Sequence, residues 1–168
     1  MKPFIPEITE LPSQKVATIT SIGDPSVVGE QIFKPLYGVV YTLKFDLKKQ
    51  GKETFKVSGL RARWPDAHLV SRDQWTAYWA LPIPEDTQSL PKKSPDDAEV
   101  GVATWEYGTV AQILHIGPYS EEGPTVAALH KFIEDSGYRI IGDHEEEYLT
   151  SPKAKVQKTV IRYRVEKA

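Results

Sequence analysis

The run His144-Glu145-Glu146-Glu147-Tyr148 is the densest set of proton-exchanging side chains in the chain. Read as a strand, it sets His144, Glu146 and Tyr148 on one face and Glu145 with Glu147 on the other. A lone carboxylate facing an aromatic surface could pair with a cation, or act as a base once desolvation raises its pKa. Three glutamates also suit an edge strand that uses charge to discourage aggregation, the reading that fits Glu145 and Glu147. For Glu146 both readings stand open at this level.

Four Trp and eight Tyr exceed what a chain of this size needs to fill a core. Trp64, Trp75, Tyr78, Trp79, Trp105, Tyr107, Tyr119 and Tyr148 all fall in strand-like stretches or at their ends. Flat rings on a sheet face wall in a flat ligand, and their quadrupoles attract positive charge. Alternation sets Trp75, Ala77 and Trp79 on one face and Thr76, Tyr78 and Ala80 on the other, and packing beneath a helix competes as the role of any single ring.

Other chemistries fit poorly. The stretch His115-Ile116-Gly117-Pro118-Tyr119-Ser120 has neither the glycine spacing nor the lysine of a phosphate loop. No two of the four histidines stand at a recognised ligand spacing, so neither metal nor cofactor is expected. Ser120 lacks the strand-to-helix elbow of a nucleophile and suits a cap or turn. Without cysteine, disulfides, thiolate nucleophiles and Cys-ligated zinc are excluded.

The elements that must position these residues come in two related sets. Val16-Ala17-Thr18-Ile19-Thr20-Ser21-Ile22-Gly23 returns as Val110-Ala111-Gln112-Ile113-Leu114-His115-Ile116-Gly117, and each copy leads into a helical stretch. In the first set a strand over 15–23 precedes a helix with Ile32, Leu36, Val40, Leu43 and Leu47 as its buried stripe, starting near Lys34 or bending at Pro35 and closed by Gly51. Strands over 55–64 and 75–83 follow. In the second set the strand runs over 102–116, the helix over 124–136 with Val126, Leu129, Phe132 and Ile133 inward, and strands over 145–150 and 156–165 close it. The expected fold is α+β: two tandem strand-helix-strand-strand repeats related by a pseudo-twofold axis, an antiparallel sheet with helices on one face, and a central ligand groove. One domain spans 1–168, with repeat one over about 8–84, a proline-rich linker over about 85–99 and repeat two over about 100–168.

Composition narrows the partners. A net charge of −2 and a pI near 6.1 leave no basic footprint for nucleic acid. No run of 18 apolar residues and no signal-peptide pattern occurs, so a cytoplasmic protein that keeps off membranes is expected. The segment ahead of Val16 cannot supply a helix-turn-helix, and the oligomeric state is not readable.

In order along the chain, His115-Ile116-Gly117-Pro118-Tyr119, a helix, Gly137-Tyr138, Glu146-Glu147-Tyr148-Leu149 ahead of Pro152, and Thr159-Val160-Ile161 resemble the GyrI-like small-molecule-binding family of SHS2 repeats. Trp64 and Trp75-Thr76-Ala77-Tyr78-Trp79-Ala80-Leu81-Pro82 are similar to its stand-alone, tryptophan-rich branch. The resemblance implies a groove for planar hydrophobic molecules, cationic ones included, lined by Trp64, Trp75, Trp79, Trp105 and Tyr107. It implies hydrolysis of cyclopropane-bearing DNA-alkylating compounds, a detoxifying reaction, or alternatively a non-catalytic effector-binding or inhibitor module acting on a protein partner. In the hydrolytic case Glu146 orients or deprotonates water, Tyr119 or Tyr148 hydrogen-bonds the developing phenolate, and Trp64 and Trp79 sandwich the ligand.

Overall fold

The computed structural model describes all 168 residues, Met1–Ala168. Nine strands and two long helices run β1 (Glu7–Leu11), β2 (Gln14–Ile22), α1 (Pro25–Lys49), β3 (Arg61–Trp64), β4 (Thr76–Pro82), β5 (Gly101–Trp105), β6 (Gly108–Ile116), α2 (Glu122–Asp135), β7 (Tyr138–Ile140), β8 (His144–Tyr148) and β9 (Lys158–Lys167). They form two compact units, one of residues Gln14–Trp105 and one that joins Met1–Ser13 to Glu106–Ala168. Both units are α+β, with an antiparallel sheet and one helix packed on it. No helix is long and apolar enough to cross a membrane.

In the Gln14–Trp105 unit the strands lie in the order β3, β4, β2, β5. Residues paired directly across an antiparallel ladder share a face. Ser21 pairs with Ala77, Ile19 with Trp79 and Ala17 with Leu81, while Ala62 of β3 pairs with Trp79, so these side chains form one layer. α1 covers that layer: Ile32, Leu36, Val39 and Val40 are buried, and Phe33 meets Trp79 edge to face at 5.1 Å. Each large aliphatic so buried contributes about 1.5–3 kcal/mol. α1 begins at Pro25, about two turns before Ile32 opens the apolar stripe, because Asp24 caps it by accepting from the Ser26 backbone N–H at 2.9 Å. Pro35 lies inside the continuous helix with its ring buried, so the lost hydrogen bond is offset by packing.

The second unit repeats this order with β8, β9, β6, β1, and β7 adds to β9. Its core joins Ala111 and Ile113 of β6, Ile161, Tyr163 and Val165 of β9, and Leu129 and Ile133 of α2. β1 and β7 carry no strong alternation and are not evident in the sequence. β1 is fixed by its ladder to β6, Glu7 against Gln112 through Leu11 against Gly108. The stretch 102–116 is two strands rather than one, broken where Gly108 takes a φ of 74° that an L side chain resists. The proline-rich stretch 85–99 belongs to the first unit, ending in a short 3-10 helix over Pro95–Glu99 that Ser94 and Asp97 cap reciprocally. A crossed connectivity results: β5, fourth in its unit, leads directly into β6 of the other, and β1, fourth in its unit, leads directly into β2.

The sequence repeat is a structural one. β2 and β6 occupy the same place in their units, and Gly23 and Gly117 close them with φ of 135° and 128°. Ladder registers then match the layers position by position: Ser21 with His115, Ala77 with Thr159, Leu81 with Tyr163, Trp64 with Tyr148, and Ala62 with Glu146. Along the helices the buried positions match one residue out of that offset, Gly29 with Glu122, Ile32 with Thr125, Leu36 with Leu129 and Val40 with Ile133.

Candidate functional site

The layer that is apolar in the first unit is ionisable in the second. Glu146 of β8 pairs with Ile161 and therefore lies on the face toward α2. At the first turn of α2, Glu122 is 9% exposed and shares a hydrogen bond with Glu146. Two carboxyls in one hydrogen bond hold a proton between them. Burial first, and then the charge and hydrogen bond of Glu146, push the Glu122 carboxyl up to about 9. Near neutral pH the pair therefore combines one acid and one base, with Glu122 as the acid.

Rings and an imidazole enclose the pair. Tyr119, on a single 3-10 turn ahead of α2, meets Tyr148 edge to face at 5.8 Å. Burial and the charges of Glu122 and Glu146 hold the Tyr119 phenol above its ordinary pKa, although the ring is 38% exposed and so opens the cluster to solvent. His144 places Nε2 2.7 Å from Glu146 Oε2 and Nδ1 2.5 Å from the Tyr163 hydroxyl. Burial, then the charge of Glu146, raises the Tyr163 phenol far enough that it stays protonated. Two buried polar atoms, Glu122 Oε1 and Thr159 Oγ1, have no hydrogen-bond partner within the protein. This polar layer is not required by the architecture, because the first unit builds it from Ala62, Ala77 and Leu81 on its sheet and Gly29 on its helix.

Glu145 and Glu147 are not solvated edge charges. Both point away from α2, where Arg162 donates to Glu145 at 2.8 Å and to Glu147 at 3.2 Å. Tyr107 donates to Glu145 at 2.9 Å, and Arg162 Nε donates to Gln112 at 2.9 Å. Glu145 is 2% exposed, so its charge depends on that guanidinium. Burial opposes the Arg162 charge, but Glu145 and Glu147 more than compensate and raise its pKa.

The tryptophans fall into two groups within the first unit. Trp64 lies edge to face on Trp75 at 5.7 Å and on Trp79 at 5.3 Å. Trp79 donates to Ser21 Oγ at 2.9 Å within the layer under α1, so Trp64 and Trp79 are neighbours in a core rather than parallel plates. Trp105 lies on the opposite sheet face, with the Arg63 guanidinium 4.2 Å above its ring. Glu146, Tyr148 and Tyr119 thus converge, and Glu122, His144, Tyr163 and Thr159 join them. Glu122 escaped sequence reading because it sits 24 residues from Glu146, and its one visible sign is a carboxyl at a buried helix position where the other repeat has Gly29.

No curated protein is similar enough to count as a relative. Among solved structures, a hydrolase from Listeria innocua is similar at 26% identity with a TM-score of 0.83, over 99% of this chain and 94% of that one. An uncharacterized conserved protein from Listeria innocua is similar at 26% identity with a TM-score of 0.85, over 98% and 93%. The EcmrR C-terminal domain shares the fold at 15% identity, with a TM-score of 0.69 over 98% of both chains. The GyrI-like small molecule binding domain matches residues 5–165, almost the whole of both units, and the chain belongs to that family.

Proposed function

We propose that this protein hydrolyses planar hydrophobic small molecules carrying a strained, electrophilic ring, with cyclopropane-bearing DNA-alkylating compounds as the substrate class. The observation that carries the reading is the proton-sharing pair Glu122 and Glu146, flanked by Tyr119 and Tyr148, in a layer that the sister repeat fills with apolar side chains. Similarity to a Listeria innocua hydrolase over nearly the full chain supports it.

In this reading Glu146 takes a proton from water as the oxygen attacks the cyclopropane methylene. The ring C–C bond breaks, and its electron pair passes through the conjugated system to the carbonyl oxygen as a phenolate. Glu122 protonates that oxygen, assisted by a hydrogen bond from Tyr119 or Tyr148. One water is added overall, and the proton gained by Glu146 returns to Glu122 across their shared hydrogen bond. Keeping Glu122 protonated at neutral pH is what makes the acid step available.

The test incubates the protein with a cyclopropane-fused alkylator and follows the gain of one water by mass. Turnover should fall by about 10²–10⁴-fold in Glu146→Gln, and Tyr119→Phe should lower it less. Unaltered compound at high protein concentration would overturn hydrolysis. Tryptophan quenching without turnover would instead support a sequestering module, the non-catalytic alternative.

A further inference from the structure

We infer that His144 is a positioning residue that decides which carboxyl of the pair holds the proton: it accepts from the Tyr163 hydroxyl at Nδ1 and donates from Nε2 to Glu146, leaving the charge on Glu146 and the proton on Glu122. The inference rests on reading Glu122 and Glu146 as an acid–base pair and adds what orders them.

Two contacts make up the chain. The Tyr163 hydroxyl lies 2.5 Å from Nδ1, and Glu146 Oε2 lies 2.7 Å from Nε2. Tyr163 remains a phenol because burial and the Glu146 charge disfavour its anion, so it has a proton to donate. A neutral imidazole that accepts at Nδ1 must carry its proton at Nε2 and donate there. Glu146 then receives a hydrogen bond that favours its charged form, while Glu122, more deeply desolvated, receives none at Oε1. The same ring stacks edge to face on Tyr163 at 5.2 Å, which holds its plane in line with both partners.

The ionisable groups facing this chain come from each neighbouring element. α2 contributes Glu122 and His130, β9 contributes Tyr163, the turn before α2 contributes Tyr119, and β8 itself contributes Tyr148. His130 meets the Tyr163 ring edge to face at 5.0 Å, and burial holds its pKa below the usual histidine value. A second neutral imidazole at that position leaves the order of the chain undisturbed.

The test uses the ligand-free protein and needs no turnover. Long-range 1H–15N NMR of the histidine rings at pH 7 should show His144 as the Nε2–H tautomer, and carboxyl 13C signals should assign the alkaline step to Glu122, with Glu122→Gln removing it. In Tyr163→Phe the Nδ1 donor is gone; the tautomer preference should weaken and both carboxyl carbons should move together through that step. His144→Gln, which keeps a donor toward Glu146, should restore the assignment to Glu122 where His144→Phe does not. A wild-type Nδ1–H tautomer, or an unchanged titration in Tyr163→Phe, would overturn the inference. Absence of ring opening with this titration intact would count against the proposed function alone.

Discussion

Replacing Glu122 with glutamine should change how stability depends on pH more than it changes stability at any one acidic pH. In the folded protein the carboxyl stays protonated up to about 9, whereas in the unfolded chain it ionises near its ordinary value of 4.5. Between those values the native state binds a proton that the unfolded state does not, so the contribution is complete below pH 4.5 and is lost as pH rises toward about 9. One proton sets a ceiling of about 1.4 kcal/mol per pH unit, or about 3 kcal/mol from pH 6 to pH 8. Solvent reaching the pair past the half-open Tyr119 ring reduces this to about 1–2 kcal/mol, a fall of about 2–8 °C in melting temperature. Glutamine has nearly the same shape, never ionises, and still offers an N–H to Glu146. Urea unfolding of both proteins at pH 6, 7 and 8 should therefore give curves that separate with rising pH, with the variant losing less. Parallel curves would refute the proton-sharing pair and the catalytic assignment built on it.

Arg162→Met should cost about 3–5 kcal/mol in urea unfolding, because Glu145 keeps a buried charge with its guanidinium removed, and adding Glu145→Gln should recover much of the loss. A single variant as stable as the parent would show that the charge is compensated elsewhere. Thr159→Val exchanges a fully buried, unpartnered hydroxyl for a methyl of the same shape and should be neutral or raise stability by about 1–2 kcal/mol, as the matching Ala77 of the other repeat implies. A loss of stability would mean that the hydroxyl has a partner in the folded protein.

Sequence reading was strongest where pattern and repeat agreed. Leu129 and Ile133 of α2, and Leu36 and Val40 of α1, stand in the core where their spacing puts them. The face assignment of His144, Glu146 and Tyr148 follows from alternation alone, and the ladder to β9 reproduces it. What escaped depends on partners distant in the chain. Glu145 reads as an edge charge until Arg162 is brought opposite it, and alternation of Val160, Arg162 and Arg164 on β9 was the available sign. For Trp64 and Trp79 composition reports how many rings there are, not that Phe33 of α1 packs against Trp79. Glu122 lies on a helix turn whose polar sequence looks solvated, and only comparison with buried Gly29 of α1 marks it.

The crossed connectivity imposes an order on synthesis. Residues Gln14–Trp105 form one uninterrupted unit that can close as soon as β5 leaves the ribosome. β1 emerges first yet has its partner in β6, which appears roughly a hundred residues later, a wait of about 5–20 s at usual translation rates. During that interval β1 is an unclaimed edge exposed to neighbouring nascent chains. Its Glu7 and Glu10, together with Pro3, Pro6 and Pro12 around it, make it a poor template for such pairing. Once β6 arrives, Gln112 donates to Glu7 and Thr109 donates to Glu10, so the residues that guard the waiting strand become the ones that dock it.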